Sequence, residues 1–178
     1  MKYIHFDVES DGFYGAYWAC KDGSDCTVIA MLGDDPEDYM ARSAVKWLIR
    51  LGVNVLTMSP GKKDYGHHNY PLERIKKAMA WLKLHGNEKI GIAGASTTGT
   101  LALTAASIFS DISLTIAMTP SDFVWQGFMQ GKKDGCKEWP IEGEPFPLYS
   151  RLNDFLICSD ETGCICGVFQ TECPTVNL

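Results

Sequence analysis

The apolar positions of the chain predict an alternation of strands and helices. Residues 27–32 form a continuous apolar run, which is typical of a strand buried on both faces, and residues 53–58 read as a second strand. Between them, residues 36–51 carry apolar side chains at helical spacing, with Pro36 near the first turn and Gly52 just after the end. Strand, helix and strand in this order make a βαβ unit.

The same alternation then continues. Helical spacing covers residues 71–84, a strand follows at 89–93, a helix at 97–109 and a further strand at 114–118. Strands and helices that alternate in this way predict an α/β fold with a doubly wound, mostly parallel sheet and helices on both faces.

The two ends of the chain depart from this pattern. Residues 2–8 and 13–18 read as short β segments around a turn, which predicts an antiparallel hairpin within residues 1–26. Residues 27–119 form the predicted βα core. Residues 120–178 show no clear βα unit, so we expect a lid-like or irregular tail there.

The composition indicates a single domain and no strongly basic surface. With 178 residues, of which 46% are hydrophobic, the chain can bury one substantial core, so we expect residues 1–178 to form a single domain. The net charge of −6 and the absence of a long Lys/Arg cluster argue against nucleic acid and anionic membranes as partners. The sequence shows no export signal and no membrane-length apolar run, so a cytoplasmic location is expected.

The cysteines predict neither a disulfide framework nor a metal site. The chain has seven, and four of them lie near the end, at Cys158, Cys164, Cys166 and Cys173. Their spacing lacks the paired C-x-x-C motifs of structural zinc sites. We therefore expect reduced thiols, no metal and no other cofactor.

The stretch GIAGASTTGT at residues 91–100 holds the candidate nucleophile, Ser96. It lies between a strand and a helix, where an α/β-hydrolase carries the serine of its Gly-x-Ser-x-Gly elbow. Gly94 supplies the first glycine, whereas Thr98 replaces the second and Gly99 follows it. The backbone N–H of Thr97 at the helix start is a natural oxyanion donor. The alternative is that Ser96 is only a helix N-cap.

The other catalytic groups are assigned by the edge of the sheet on which they fall. The backbone N–H of Asp34, after the strand that ends near residue 32, is the candidate second oxyanion donor; the alternative is a Gly-Asp turn that leads into a capped helix. His67 and His68 lie in a loop at the carboxyl edge and are the candidate bases, unless both are simply solvated. Asp122 is the candidate acid, and its alternative is a turn or cap residue.

Two segments carry a family resemblance: NYPLERIKKAMAWL at residues 69–82 and KIGIAGAS at residues 89–96. Together they resemble the C-terminal catalytic domain of the acyl-CoA thioesterase and bile acid-CoA:amino acid N-acyltransferase family, an α/β-hydrolase branch related to dienelactone hydrolase. The resemblance covers about residues 27–150. It implies an α/β-hydrolase fold, Ser96 as nucleophile and Thr97 as an oxyanion donor.

This sequence departs from the family at two places. Thr97, Thr98 and Gly99 stand where the family has Lys-Gly-Gly, and nothing after Ser150 matches the family's later acid and histidine segments. The resemblance therefore implies a C-terminally shortened hydrolase fold.

Three functions follow as hypotheses. The first is a serine hydrolase or acyltransferase that acts on a small-molecule ester or acyl thioester through an acyl-Ser96 intermediate. The second is a non-catalytic or partial hydrolase fold that needs a partner chain or forms a homo-oligomer through an open sheet edge at residues 114–118. The third is a flavodoxin-like domain in which residues 96–100 bind a phosphate at a helix N-terminus.

Overall fold

A computed structural model describes residues 2–59 and 70–120, together with the backbone of two strands at 156–159 and 165–170. In chain order, the described elements are β1 (Ile4–Phe6), α1 (Val8–Asp11), β2 (Gly15–Trp18), β3 (Cys26–Met31), α2 (Tyr39–Arg50), β4 (Asn54–Met58), α3 (Leu72–Leu84), β5 (Lys89–Ala95), α4 (Thr97–Ile108), β6 (Ile112–Met118), β7 (Leu156–Ser159) and β8 (Ile165–Gln170).

The strands form one mixed sheet in the order β1-β2-β4-β3-β5-β6-β8-β7. The central pairs β3–β4, β3–β5 and β5–β6 are parallel, so the carboxyl ends of these four strands meet at one edge. This parallel core and its connecting helices confirm the predicted α/β class. No helix among the described residues is both long and apolar enough to cross a bilayer.

The N-terminal strands join this core as an antiparallel extension. β1 pairs with β2, and β2 pairs with β4, in both cases antiparallel. The connection between β1 and β2 contains the short helix α1, which is capped by the carboxylate of Asp7 and ends at Gly12 in the left-handed region. The composition of this segment indicates only a turn, so the helix is an addition to the predicted hairpin.

The far end of the sheet corrects two expectations. β8 pairs antiparallel with β6, and β7 pairs antiparallel with β8. The strand at 114–118 is therefore not an open edge, and the predicted irregular tail contains β structure at 156–159 and 165–170. A search for βα units does not detect these strands, because an antiparallel ββ pair has no helix between its strands.

Helices cover the sheet on both faces, as the alternation of apolar positions requires. Helices α3 and α4 pack on one face over side chains such as Ile29, Leu56 and Ile92. Helix α2 packs on the other face, over Val28 and Val55. Successive residues of a strand thus enter opposite cores, which explains why these strands are apolar throughout.

Candidate functional site

Ser96 occupies a strained turn between β5 and α4. Its backbone has φ 52° and ψ −121°, a region that non-glycine residues rarely adopt. The residue is exposed, and its side chain makes no capping hydrogen bond to α4. An ordinary N-cap has an extended backbone and a side chain that accepts from the helix. The geometry at Ser96 therefore differs from that of an ordinary N-cap, and it is a tight, strained turn from strand to helix.

Backbone hydrogen bonds hold this turn against the next strand. The N–H of Ser96 donates to the carbonyl oxygen of Met118 at 2.8 Å, and the Ser96 carbonyl accepts from the N–H of Thr100 at 3.1 Å. Met118 is the register partner of Ala95 across the β5–β6 pair. The position of Ser96 is therefore fixed by both strands.

Two glycines allow α4 to approach the strands this closely. A Cβ atom on Gly94 would lie 2.1 Å from the backbone oxygen of Thr98, which no side chain can tolerate. A Cβ on Gly99 would lie 3.1 Å from the Met118 carbonyl oxygen and 3.4 Å from the Gly94 carbonyl oxygen. Gly99 thus relieves crowding one position after the place where the usual motif has its second glycine.

Thr98, which departs from the motif, has a structural role of its own. Its buried hydroxyl lies 2.6 Å from the carbonyl oxygen of Met31, to which it donates, and accepts from the N–H of Ala95 at 2.9 Å. It thereby links the end of β3 to the turn before Ser96. The motif alone does not reveal this role, because Met31 is distant in sequence.

The two candidate oxyanion donors differ in their surroundings. Among the described residues, the N–H of Thr97 has no acceptor, as expected at the start of a helix. The N–H of Asp34 donates to Oδ2 of Asp38 at 2.8 Å, and the N–H of Asp35 donates to the same oxygen at 3.2 Å. Asp38 also caps α2 through the N–H of Ala41 at 2.8 Å. Asp34 thus lies in the expected loop, but its N–H is engaged.

The candidate bases His67 and His68 and the candidate acid Asp122 lie outside the described residues, as do the side chains of the four cysteines near the end of the chain. The histidines that are described lie elsewhere. His5 pairs with Glu37 at 2.9 Å, and His85, at the end of α3, contacts the carbonyl oxygen of Trp81 at 2.7 Å.

Tyr14 and Asp35 meet at the carboxyl edge of the sheet. The Tyr14 hydroxyl donates to Oδ2 of Asp35 at 3.0 Å. Burial, followed by this hydrogen bond and the charge of Asp35, raises the pKa of Tyr14 to about 12. The hydroxyl is therefore held in its neutral form. Sequence patterns gave no signal for this pair.

The parallel core, the antiparallel β1 and β2, and the strained serine between β5 and α4 define an α/β-hydrolase-like fold. Two structures of the esterase Pf2001 from Pyrococcus furiosus are similar to this chain. One has a TM-score of 0.47 and 22% identity, and covers 65% of this chain and 53% of the esterase. The other has a TM-score of 0.47 and 21% identity, and covers 66% and 55%, respectively.

The chain thus spans about half the length of that esterase. No protein-family model and no curated protein matches the chain.

Proposed function

We propose that the chain is a serine hydrolase or acyltransferase that acts on a carboxylic ester or an acyl thioester. The observation that carries this proposal is the backbone of Ser96, which adopts φ 52° and ψ −121° and leaves the side chain exposed at the carboxyl edge of the sheet. Strain of this kind is retained where the surrounding structure enforces it, and it clusters at active sites. The resemblance to the acyl-CoA thioesterase and acyltransferase family supports the thioester as substrate.

The proposed reaction has two halves. The Oγ atom of Ser96 attacks the acyl carbon while its proton passes to a base, and the carbonyl electrons move to oxygen. The N–H of Thr97 stabilises this oxyanion. Its collapse expels an alkoxide or thiolate, which takes up the proton. Water or an amine then attacks acyl-Ser96, releases the acyl group and restores the hydroxyl. His67 or His68 is the proposed base, and Asp122 the proposed acid.

Covalent labelling tests this proposal. A fluorophosphonate reacts with an activated serine, and mass spectrometry of the purified chain locates the modified residue. We expect the label on Ser96 and its loss in Ser96→Ala. The matched control is Ser107→Ala, at the far end of α4, where the hydroxyl only donates to the Thr104 carbonyl at 2.8 Å. Labelling that persists in a folded Ser96→Ala protein would refute the proposal.

A non-catalytic role is the second candidate, and the Asp34–Asp38 hydrogen bond favours it. As long as the Asp38 carboxylate accepts from the Asp34 N–H at 2.8 Å, that amide is not available to a substrate oxyanion. In this case the chain keeps the fold and acts together with a partner chain or a second copy. The paired state of β6 means that self-association would use another surface. An absence of labelling in a folded sample would support this candidate.

A further inference from the structure

The peptide group between Asp34 and Asp35 is held from both sides. The carbonyl oxygen of Asp34 accepts from Oγ of Ser59 at 2.5 Å, while the N–H groups of Asp34 and Asp35 both donate to Oδ2 of Asp38. The Asp38 carboxylate also accepts from the N–H of Ala41 in the first turn of α2, so three donors hold it in place. A substrate oxyanion would have to displace this carboxylate before it could bind the N–H of Asp34.

The backbone N–H of Gly33, one residue earlier, is unpaired. Within the described part of the chain it has no hydrogen-bond acceptor. Gly33 is nevertheless partly buried, and buried backbone N–H groups are nearly always paired. This N–H is therefore available to an atom of a ligand.

The register of the sheet places Gly33 beside Ser96. Strands β3 and β5 are parallel neighbours, and Met31 pairs with Gly94. Gly33 and Ser96 each lie two residues beyond this pair, and neighbouring strands are about 4.8 Å apart. The hydroxyl of Thr98 donates to the Met31 carbonyl oxygen at 2.6 Å, so the start of α4 contacts the end of β3 at this level.

The direction of the Gly33 N–H follows from the peptide units before it. The carbonyl of Met31 points towards the start of α4, since it accepts from Thr98. In a trans peptide the N–H points opposite to the carbonyl, so the N–H of Leu32 is directed away from α4. Successive peptide units of a strand alternate in direction, which turns the next N–H, that of Gly33, back towards β5 and Ser96.

Glycine at position 33 suits a backbone group that meets a substrate. Its φ is 116°, a conformation that side chains rarely allow, and a Cβ there would collide with the carboxylate of Asp38. The missing side chain also lets a substrate atom approach the backbone closely.

We propose that the N–H of Gly33, and not that of Asp34, is the second oxyanion donor beside the N–H of Thr97. This assignment rests on the proposed acylation of Ser96. As Oγ of Ser96 bonds to the acyl carbon, the carbonyl electron pair moves to oxygen, and the two N–H groups stabilise the negative charge. The hydrogen bond between Asp34 and Asp38 stays intact throughout.

Amide-to-ester replacement tests these N–H groups one at a time, because it exchanges a single backbone N–H for oxygen and keeps the side chain. A suppressor tRNA that carries an α-hydroxy acid introduces glycolic acid in place of Gly33 in the full chain. The matched control has malic acid in place of Asp34, which makes the same chemical change at the next residue. The rate of fluorophosphonate labelling at Ser96 and the urea midpoint of unfolding are measured for both.

The two esters should have opposite effects. The ester at Gly33 should slow labelling of Ser96 by about 100-fold, as the loss of one oxyanion donor does, and leave the urea midpoint unchanged, because its N–H has no partner to lose. The ester at Asp34 should lower the urea midpoint, because it loses the hydrogen bond to Asp38, and leave the labelling rate unchanged.

Three results would overturn the proposal. If only the ester at Asp34 slows labelling, the N–H of Asp34 is the donor. If neither ester slows it, neither N–H binds the oxyanion. In both cases Ser96 of the unsubstituted chain is still labelled, so the proposed function stands. If the folded, unsubstituted chain is not labelled at Ser96, the proposed function fails and the assignment of Gly33 fails with it.

Discussion

The backbone N–H of Ser96 donates to the carbonyl oxygen of Met118 at 2.8 Å, which ties the candidate nucleophile to the end of the neighbouring strand. Thr119 follows Met118 directly. Ser96 and Thr119, with φ of 52° and 45°, are the non-glycine residues with positive φ in the described part of the chain. These two residues directly follow the carboxyl ends of the adjacent strands β5 and β6, so positive φ occurs at neighbouring points of this edge.

The first prediction concerns the approach of α4 to β5. Gly94→Ala should lower the free energy of unfolding by about 3 kcal/mol or more, because its Cβ would lie 2.1 Å from the Thr98 backbone oxygen. Gly91→Ala is the control in the same strand. Its Cβ would be 3.4 Å from the nearest atom, an ordinary contact. Urea unfolding measures both, and equal stability of the two variants would contradict the prediction.

The second prediction concerns Thr98 as a positioning residue. Thr98→Val leaves the Ala95 N–H and the Met31 carbonyl without their side-chain partner, and should cost about 1–3 kcal/mol of unfolding free energy. We also expect slower fluorophosphonate labelling of Ser96, since the turn before it loses a support. Thr98→Ser keeps the hydroxyl and should restore the labelling rate. If Val and Ser variants label equally fast, Thr98 does not position Ser96.

The sequence predicts features that depend on neighbouring residues, and it does not predict contacts between distant segments. The strand–turn–helix pattern predicts a tight turn at Ser96, and the structure has Ser96 between β5 and α4 with a positive φ, because this geometry depends on neighbouring residues. The role of Thr98 is not visible, since it depends on Met31, a residue from another strand. Asn87 is similar: its buried side chain accepts from Asn54 at 2.8 Å and from Tyr17 at 3.2 Å, so it joins elements that only the fold brings together.

The hydrogen bond from the Asp34 N–H to the Asp38 carboxylate is another contact that the sequence does not predict. The sequence places Asp34 in the loop after β3, and the structure does so too. Which acceptor its N–H meets depends on how Asp38 caps α2, and both contacts use the same carboxylate. Loop position can be predicted from the order of elements, whereas the direction of a single N–H depends on the local backbone.

The third prediction concerns stability at alkaline pH. The pKa of Tyr14 is raised from its usual value to about 12, so the folded chain keeps a proton that the unfolded chain loses from about pH 10 upward. The contribution of Tyr14 to stability is thus fully present below pH 10 and is lost as the pH rises towards 12.

Urea unfolding across this pH range measures the effect. Tyr14→Phe should show a smaller loss of stability between about pH 10 and 12 than the unsubstituted chain does. Tyr39→Phe is the control, because Tyr39 is 83% exposed. If Tyr14→Phe and Tyr39→Phe lose stability equally over this range, the Tyr14 hydroxyl is not the group responsible.

The fourth prediction concerns a buried hydroxyl on β6. Within the described part of the chain, Oγ1 of Thr115 is buried without a hydrogen-bond partner. Thr115→Val removes this group while keeping the side-chain shape, and valine suits a strand. We expect the free energy of unfolding to rise by about 1 kcal/mol, since the folded state no longer buries an unpaired hydroxyl.

Thr104→Val separates this effect from a general gain of apolar surface. Thr104 is equally buried, but its hydroxyl donates to the Thr100 carbonyl at 2.8 Å, so its removal loses a hydrogen bond and should not stabilise the chain. A higher free energy of unfolding in both variants would mean that the added methyl group is responsible. A higher free energy of unfolding in Thr115→Val alone would show that the unpaired Thr115 hydroxyl destabilises the folded chain. This hydroxyl lies on β6, the strand that supports Ser96.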